Sequence, residues 1–251
     1  MQSKVQHRRG TRAFLPGRAA RTVGLLITLL AACGPQPAEE RGRELASDPR
    51  LSPSPSNVFA CTTCHSVSTS PESRLYPGHP LPGALTRPSF WGGELHYVLD
   101  AVNQCFVDFM RGTALAADDP SGRALLAYLH TLTPAAAGPD AARPCTVVRN
   151  IDATYLAQLP SGEPGRGADA YQRACAYCHG AAHSGQGRLG PQVSRLPEDT
   201  IASFSAAQAP AVLVEKARHG RYFGISGAMP FYCSELLSDG DLADIVAYLL
   251  Q

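Results

Sequence analysis

The sequence predicts an all-α protein built from two small helical units, and three observations carry that prediction. Leu125, Leu126, Leu129 and Leu132 fall on one helical face, as do Leu242, Ile245, Val246 and Leu249. Neither region offers a series of alternating strands. Two segments also look like divergent copies of each other, each opening with Cys-x-x-Cys-His and closing with a helical Ala-Tyr-Leu. The first runs from Cys61-Thr62-Thr63-Cys64-His65 to Ala127-Tyr128-Leu129, and the second from Cys175-Ala176-Tyr177-Cys178-His179 to Ala247-Tyr248-Leu249. The histidine-to-alanine separations, 62 and 68 residues, are close enough to point to an internal duplication.

Composition bounds the rest. A chain of 251 residues that is 44% hydrophobic and 17% charged has room for one or two globular domains and is neither a disordered chain nor a bundle of membrane helices. The formal charge of +1 hides an asymmetry. Six of the 22 Lys and Arg lie in residues 1–32 with no acid among them, leaving 16 bases against 21 acids beyond. An acidic remainder argues against a nucleic-acid partner, which needs clustered positive charge. Aromatics make up only 7%, with a single Trp. Either the cores are small or something other than side chains fills them.

In chain order, a basic stretch to Arg21 leads into an apolar run from Val23 to Ala32. That run is too short to span a bilayer but has the length of a signal-peptide core, so residues 1–32 are expected to be a signal peptide. Leu30-Ala31-Ala32-Cys33-Gly34 resembles the bacterial lipoprotein box, which makes Cys33 the expected lipidation site. Acyl chains there would hold the protein on a membrane, facing the periplasm. Residues 33–55, rich in Pro, Ser, Arg and Glu, read as a tether with one helix around Glu40 to Ala46. Residues 134–163, with four prolines and two glycines, read as a linker between one domain at 56–133 and another at 164–251. Ser238 is placed to cap the last helix.

Cys-x-x-Cys-His is the attachment signature for c-type haem. Two thiols form thioethers to the porphyrin vinyls, and the adjacent imidazole binds iron from one face. Two copies predict two haem c, on Cys61 and Cys64 with His65, and on Cys175 and Cys178 with His179. A thioredoxin-like redox pair would need a βαβ setting, and a zinc site would need further paired ligands at finger spacing. Neither is found. Gly185, Gly187 and Gly190 spell a nucleotide-like pattern, but no strand precedes it.

On these motifs, residues from about 55 to 251 resemble class I cytochrome c domains. In the second half the match rests on Gly167, Tyr171 and Cys175, on Gly190-Pro191, and on Gly227-Ala228-Met229-Pro230 before the last helix. The resemblance implies a proline carbonyl set against the His179 imidazole and Met229 as the sixth ligand of the second haem. The first half has no Met-Pro. Its Arg87-Pro88-Ser89-Phe90-Trp91-Gly92-Gly93 and Leu99-Asp100-Ala101-Val102-Asn103-Gln104-Cys105, followed by Phe106, Met110, Gly112 and Leu115, resemble the first haem domain of thiosulfate dehydrogenases and SoxA cytochromes. That implies Cys105 as the sixth ligand of the first haem; Met110 is the rival, and His96 and His79 stay open. With Cys105 on iron, Cys145 and Cys233 are left as a disulfide that would pin the linker against the second haem, two free thiols being the alternative.

Two functions fit these expectations. One is an electron carrier passing single electrons between redox protein partners, a donor and an acceptor. The other is a thiosulfate dehydrogenase-like enzyme oxidising a small inorganic sulfur anion beside a His/Cys-ligated first haem. The carrier is favoured because the ligand framework is kept while the charge framework is not. Ala101 stands where those dehydrogenases have an arginine, and Val107, Asp108 and Phe109 where they have a polar, arginine-containing run. Arg74, Arg87 and Arg111 could substitute for the missing charge, yet each reads more simply as a solvated surface residue. His183 and His219 likewise read as surface histidines.

Overall fold

The computed structural model describes residues 36–68, 73–133, 144–224 and 227–251. The expected signal peptide and Cys33 lie outside the described residues. Those described are helical, and the one sheet-like feature among them is an isolated antiparallel bridge between Phe90 and Leu95. None of their helices is long and apolar enough to cross a membrane.

In order, the helices are α1 (Ala38–Ser47), α2 (Cys61–Cys64), α3 (Val98–Asp108), α4 (Pro120–Thr131), α5 (Ala153–Gln158), α6 (Pro164–Ala174), α7 (Ala176–His179), α8 (Glu198–Phe204), α9 (Ala209–His219) and α10 (Asp239–Leu249). Their starts follow ordinary capping chemistry. The Asp119 carboxylate accepts from the amides of Ser121 and Gly122, with Pro120 at the first position of α4. Ser238 caps α10 by accepting from the Asp241 amide.

Two helix crossings organise the fold, α1 on α4 and α6 on α10. Each depends on a glycine. A Cβ at Gly42 would overlap the Ala124 carbonyl and stand 2.7 Å from Tyr128 Cβ; one at Gly167 would overlap the Asp244 backbone and stand 2.6 Å from Tyr248 Cβ. The duplicated tyrosines, Tyr128 and Tyr248, thus meet equivalent glycines. The helix expected around Glu40 to Ala46 is α1, and it packs on α4 instead of lying in a loose tether. Residues 38–47 form a packed helix whose buried face is Gly42, Leu45 and Ala46, and its Glu- and Arg-rich outer face is what gave the stretch its linker-like composition.

Around the first crossing, Leu45, Ala46, Ala124, Leu125 and Tyr128 make a small core. A larger one surrounds the second, including Tyr171, Leu213, Val214, Leu237, Leu242 and Ile245. Residues 36–251 nonetheless form one compact unit. The region read as a linker is part of the reason. The Val148 carbonyl accepts from His219 Nε2 at 2.8 Å, and the Tyr155 hydroxyl donates to Asp239 Oδ1 at 2.6 Å, so the stretch is tied to α9 and to the start of α10.

Candidate haem-attachment sites

The first pentapeptide is a single helical turn. The Ala60 amide donates to Thr63 Oγ1 at 2.9 Å and the His65 amide to the Cys61 carbonyl at 2.9 Å, after which His65 leaves the helix in extended conformation. Its imidazole is fixed from two directions. Nδ1 donates to the His79 carbonyl at 2.7 Å, and Gly78 packs flat against the ring, so close that a Cβ there would overlap Cε1 and Nδ1. A carbonyl on Nδ1 sets the tautomer that leaves Nε2 with its lone pair toward the cavity. Burial lowers the histidine pKa, keeping the ring neutral as a metal ligand must be. Burial also pushes the Cys61 and Cys64 thiols up, to about 11 and about 12.

These three side chains open onto a cavity of about 530 Å³ whose walls are mostly apolar. That volume falls within the range of pockets that enclose cofactor-sized molecules, roughly 300–1,000 Å³. Two neighbouring half-buried thiols, an oriented neutral imidazole and an apolar chamber fit a haem held through Cys61, Cys64 and His65. Cys105, from the last turn of α3, and Met110, just beyond it, both line the chamber, as does His79. His96 does not; it is exposed, with Nδ1 3.3 Å from the Pro88 carbonyl.

The second pentapeptide follows α6 without a break. The amides of Cys178 and His179 both donate to the Cys175 carbonyl, at 3.1 and 2.9 Å. Gly180 then turns the chain at φ 71°, and its carbonyl accepts from the fully buried Tyr171 hydroxyl at 2.9 Å. Burial lowers the pKa of His179 and raises that of Cys175 to about 12. His179 Nδ1 donates to the Ser194 carbonyl at 2.8 Å. The Gly190-Pro191 carbonyl expected in that role is displaced because a turn, closed by the Val193 amide on the Gly190 carbonyl at 3.0 Å, carries the chain past the ring before a carbonyl faces it. Met229 stands half-buried in the segment between α9 and α10, its own carbonyl accepting from the Arg221 amide at 2.7 Å.

Cys145 and Cys233 form a disulfide with Cα atoms 5.2 Å apart. Both line the first cavity, with a ring nitrogen of His79 within 4.8 Å of their sulfurs. The bridge therefore walls the first site, where the expectation had been the second. The cause is the path of residues 144–148. The Thr146 carbonyl accepts from the Ser234 amide at 3.2 Å, and Val147 packs on Gly92, which carries the chain along the edge of the first chamber.

Several residues that matter here gave little sign of it in the sequence. Arg74 and Arg87 are not solvated surface charges. Arg87 lines the first cavity and donates to the Pro80 carbonyl, and desolvation pulls its pKa down to about 10. Arg74 donates to the Thr63 carbonyl and lies over the rings of Tyr177 and Tyr76 at 3.6 and 4.3 Å. Arg111 is exposed, as expected. The lone Trp91 joins the halves, with ring centroids 5.7 Å from Phe109, 4.6 Å from Tyr222 and 5.7 Å from Phe231. Its φ of 55°, uncommon for so large a side chain, is held in place by that packing and by an indole bond to the Ala101 carbonyl.

Residues 162–249 match the family model described as cytochrome c oxidase, cbb3-type, subunit III, and that stretch is a c-type cytochrome domain. Such a domain implies covalent haem c, electron transfer and redox protein partners. No match is found among curated proteins. Among solved structures, thiosulfate dehydrogenase (TsdBA) from Marichromatium purpuratum, in its as-isolated form, aligns with 88% of this chain and 47% of its own at 21% identity, with a TM-score of 0.42. The chain thus spans about half the length of that protein.

Proposed function

We propose that the protein is a lipid-anchored, periplasm-facing dihaem cytochrome c that relays single electrons between a donor and an acceptor protein. The observation that carries this reading is that both pentapeptides present the same arrangement. Each has two neighbouring half-buried thiols and a neutral imidazole whose Nδ1 is bonded to a carbonyl fourteen or fifteen residues on. A bound haem supplies reversible one-electron chemistry. The chain's own part is to hold each imidazole in one tautomer, to keep it uncharged by burial, and to enclose the first site in apolar walls. Met229 is the proposed sixth ligand of the second site and Cys105 of the first. Met110 is the competitor there, since both reach the same chamber.

The test is expression of the full chain in a host that matures c-type cytochromes, followed by haem quantitation and intact mass. Two covalent haems per chain are expected; one or none sinks the reading. Near-infrared magnetic circular dichroism of Cys105→Ala and Met110→Leu then assigns the first site, with a thiolate signal lost in the former and kept in the latter. Radiolabelled palmitate incorporated by the wild type and lost in Cys33→Ala would support the anchor, and no incorporation would remove it.

A second reading, oxidation of a small sulfur oxoanion at the first site, is favoured by one observation, the guanidinium of Arg87 in the same cavity wall as Cys105. Its readout is stopped-flow reduction by thiosulfate. Fast reduction that disappears in Arg87→Gln would make the protein an enzyme, and no reaction leaves the carrier.

A further inference from the structure

The two attachment pentapeptides are not merely in one chain; one side chain touches both. Arg74 Nη2 donates to the carbonyl of Thr63, the third residue of the first pentapeptide. The same guanidinium lies 3.6 Å from the ring centroid of Tyr177, the third residue of the second. The backbone beside it is fastened to the helix that delivers Cys175. The Leu75 amide donates to the Arg173 carbonyl at 2.9 Å, and Arg173 Nε donates to the Ser73 carbonyl at 3.0 Å. The buried Tyr232 hydroxyl closes the arrangement, donating to the Ala174 carbonyl at 2.7 Å with the Leu75 carbonyl at 3.2 Å.

We infer that Arg74 is a positioning residue that holds the two haem-attachment peptides side by side and, as a fixed cation between them, raises the electron affinity of both sites together. The inference rests on the dihaem reading above. Arginine suits the task because its planar fork can donate to a carbonyl and stack on a ring at once while staying charged, and its weak hydration makes partial burial tolerable. A cation beside two redox centres favours the reduced, less positive state of each, and in a partly buried setting that effect is only weakly screened. Relay between the sites moves one electron. The donor site gains one unit of positive charge and the acceptor site loses one, with no bond made or broken and no proton required. A charge shared by both sites shifts both potentials the same way, so it strengthens electron capture by the pair without opposing transfer within it.

The experiment uses the full-length holoprotein, with each site's midpoint potential followed spectroscopically. Arg74→Gln with both haems retained should lower both potentials in step, by about tenfold in each reduction equilibrium constant, or about 59 mV for a one-electron couple. Arg74→Lys, which keeps the charge but not the fork, should fall less than threefold at each site. Unmoved potentials in Arg74→Gln, a shift at one site alone, or a lysine variant as low as the glutamine variant would overturn the inference. A measurement on the wild type stands even if these variants do not fold. The two ferric centres should enhance each other's electron spin relaxation, and independent relaxation would overturn the side-by-side placement. A wild-type chain with fewer than two haems sinks the dihaem reading instead, a result distinct from any of these.

Discussion

Gly78→Ala is the smallest change that should disable one site and spare the other. A methyl at Gly78 would stand 2.9 Å from His65 Nε2 and overlap Cε1 and Nδ1 outright, where ordinary contact begins near 3.4 Å. The Nε2 edge must therefore retreat by at least about 0.5 Å, and the nearer atoms by more. The glycine cannot yield instead, because its amide donates to the Cys64 carbonyl at 2.9 Å and the next residue's carbonyl holds His65 Nδ1. Moving the ring breaks that last bond and leaves a buried donor unpaired, which costs about 1–3 kcal/mol, a loss of roughly fivefold to 150-fold in the population of the ligating orientation. The assay is low-temperature EPR of the oxidised protein. The low-spin signal of the first site should give way to high-spin while the second persists. Gly165→Ala, on an α6 glycine where an added methyl would meet nothing within 4 Å, is the control and should be neutral or mildly stabilising. An unchanged low-spin signal from the first site in Gly78→Ala would refute the claim that this glycine sets the imidazole.

Two further predictions test the frame. The Cys145–Cys233 bridge closes a sequence separation of 88 residues, for which the chain-entropy relation gives about 4.6 kcal/mol, so the Cys145→Ser/Cys233→Ser protein should lose about 2–5 kcal/mol in urea unfolding, and an unchanged midpoint would refute it. The Asp244 carboxylate, held below the usual carboxylate range by its bonds from Arg166 and by the Glu163 amide, ties the start of α6 to α10. A lowered folded value contributes stability above the unfolded pKa of about 3.8 that is lost as pH falls through the folded value, so unfolding should be increasingly easy below pH 4. Asp244→Asn should lower Tm by about 2–4 °C at neutral pH and flatten that acid limb, and an identical acid limb in the variant would rule the group out.

What the sequence showed and what it hid divide along a physical line. The pentapeptides were legible because the attachment signature is local, confined to five residues. α4 and α10 were legible because each buries a 3.6-period stripe and carries a side-chain cap. α1 was legible as a helix around Glu40 to Ala46, but its crossing on α4 was hidden, because three buried residues suffice for it, two of them Gly42 and Ala46, and small residues carry almost no hydropathy signal. The roles of Arg74 and Arg87 were hidden for a different reason. An arginine is buried or solvated according to partners remote in sequence, here Thr63 and Tyr177 for Arg74 and the wall of a chamber for Arg87. The same holds for the carbonyl on His179, where a four-residue turn decided between Pro191 and Ser194, and for the disulfide, whose side was set by the path of residues 144–148.

The haem proposed at the first site bears directly on the stability of the first half. Its buried cluster is five residues, two of them alanines, beside a chamber of about 530 Å³. Left empty, that chamber exposes apolar walls to water and leaves them without packing partners, a loss that so small a cluster is poorly placed to offset. The low aromatic content and the large chamber agree with the proposed prosthetic group at the first site, which would replace the omitted side chains. The second half has ten buried core residues of its own and does not carry this debt to the same degree. Cys61→Ala/Cys64→Ala, which removes the covalent attachment at the first site alone, should therefore melt α1, α3 and α4 while α6 and α10 stay folded. Hydrogen exchange should show protection lost in the first set and kept in the second, whereas retained protection across α1, α3 and α4 would mean that side chains can close the chamber and that the core argument is wrong.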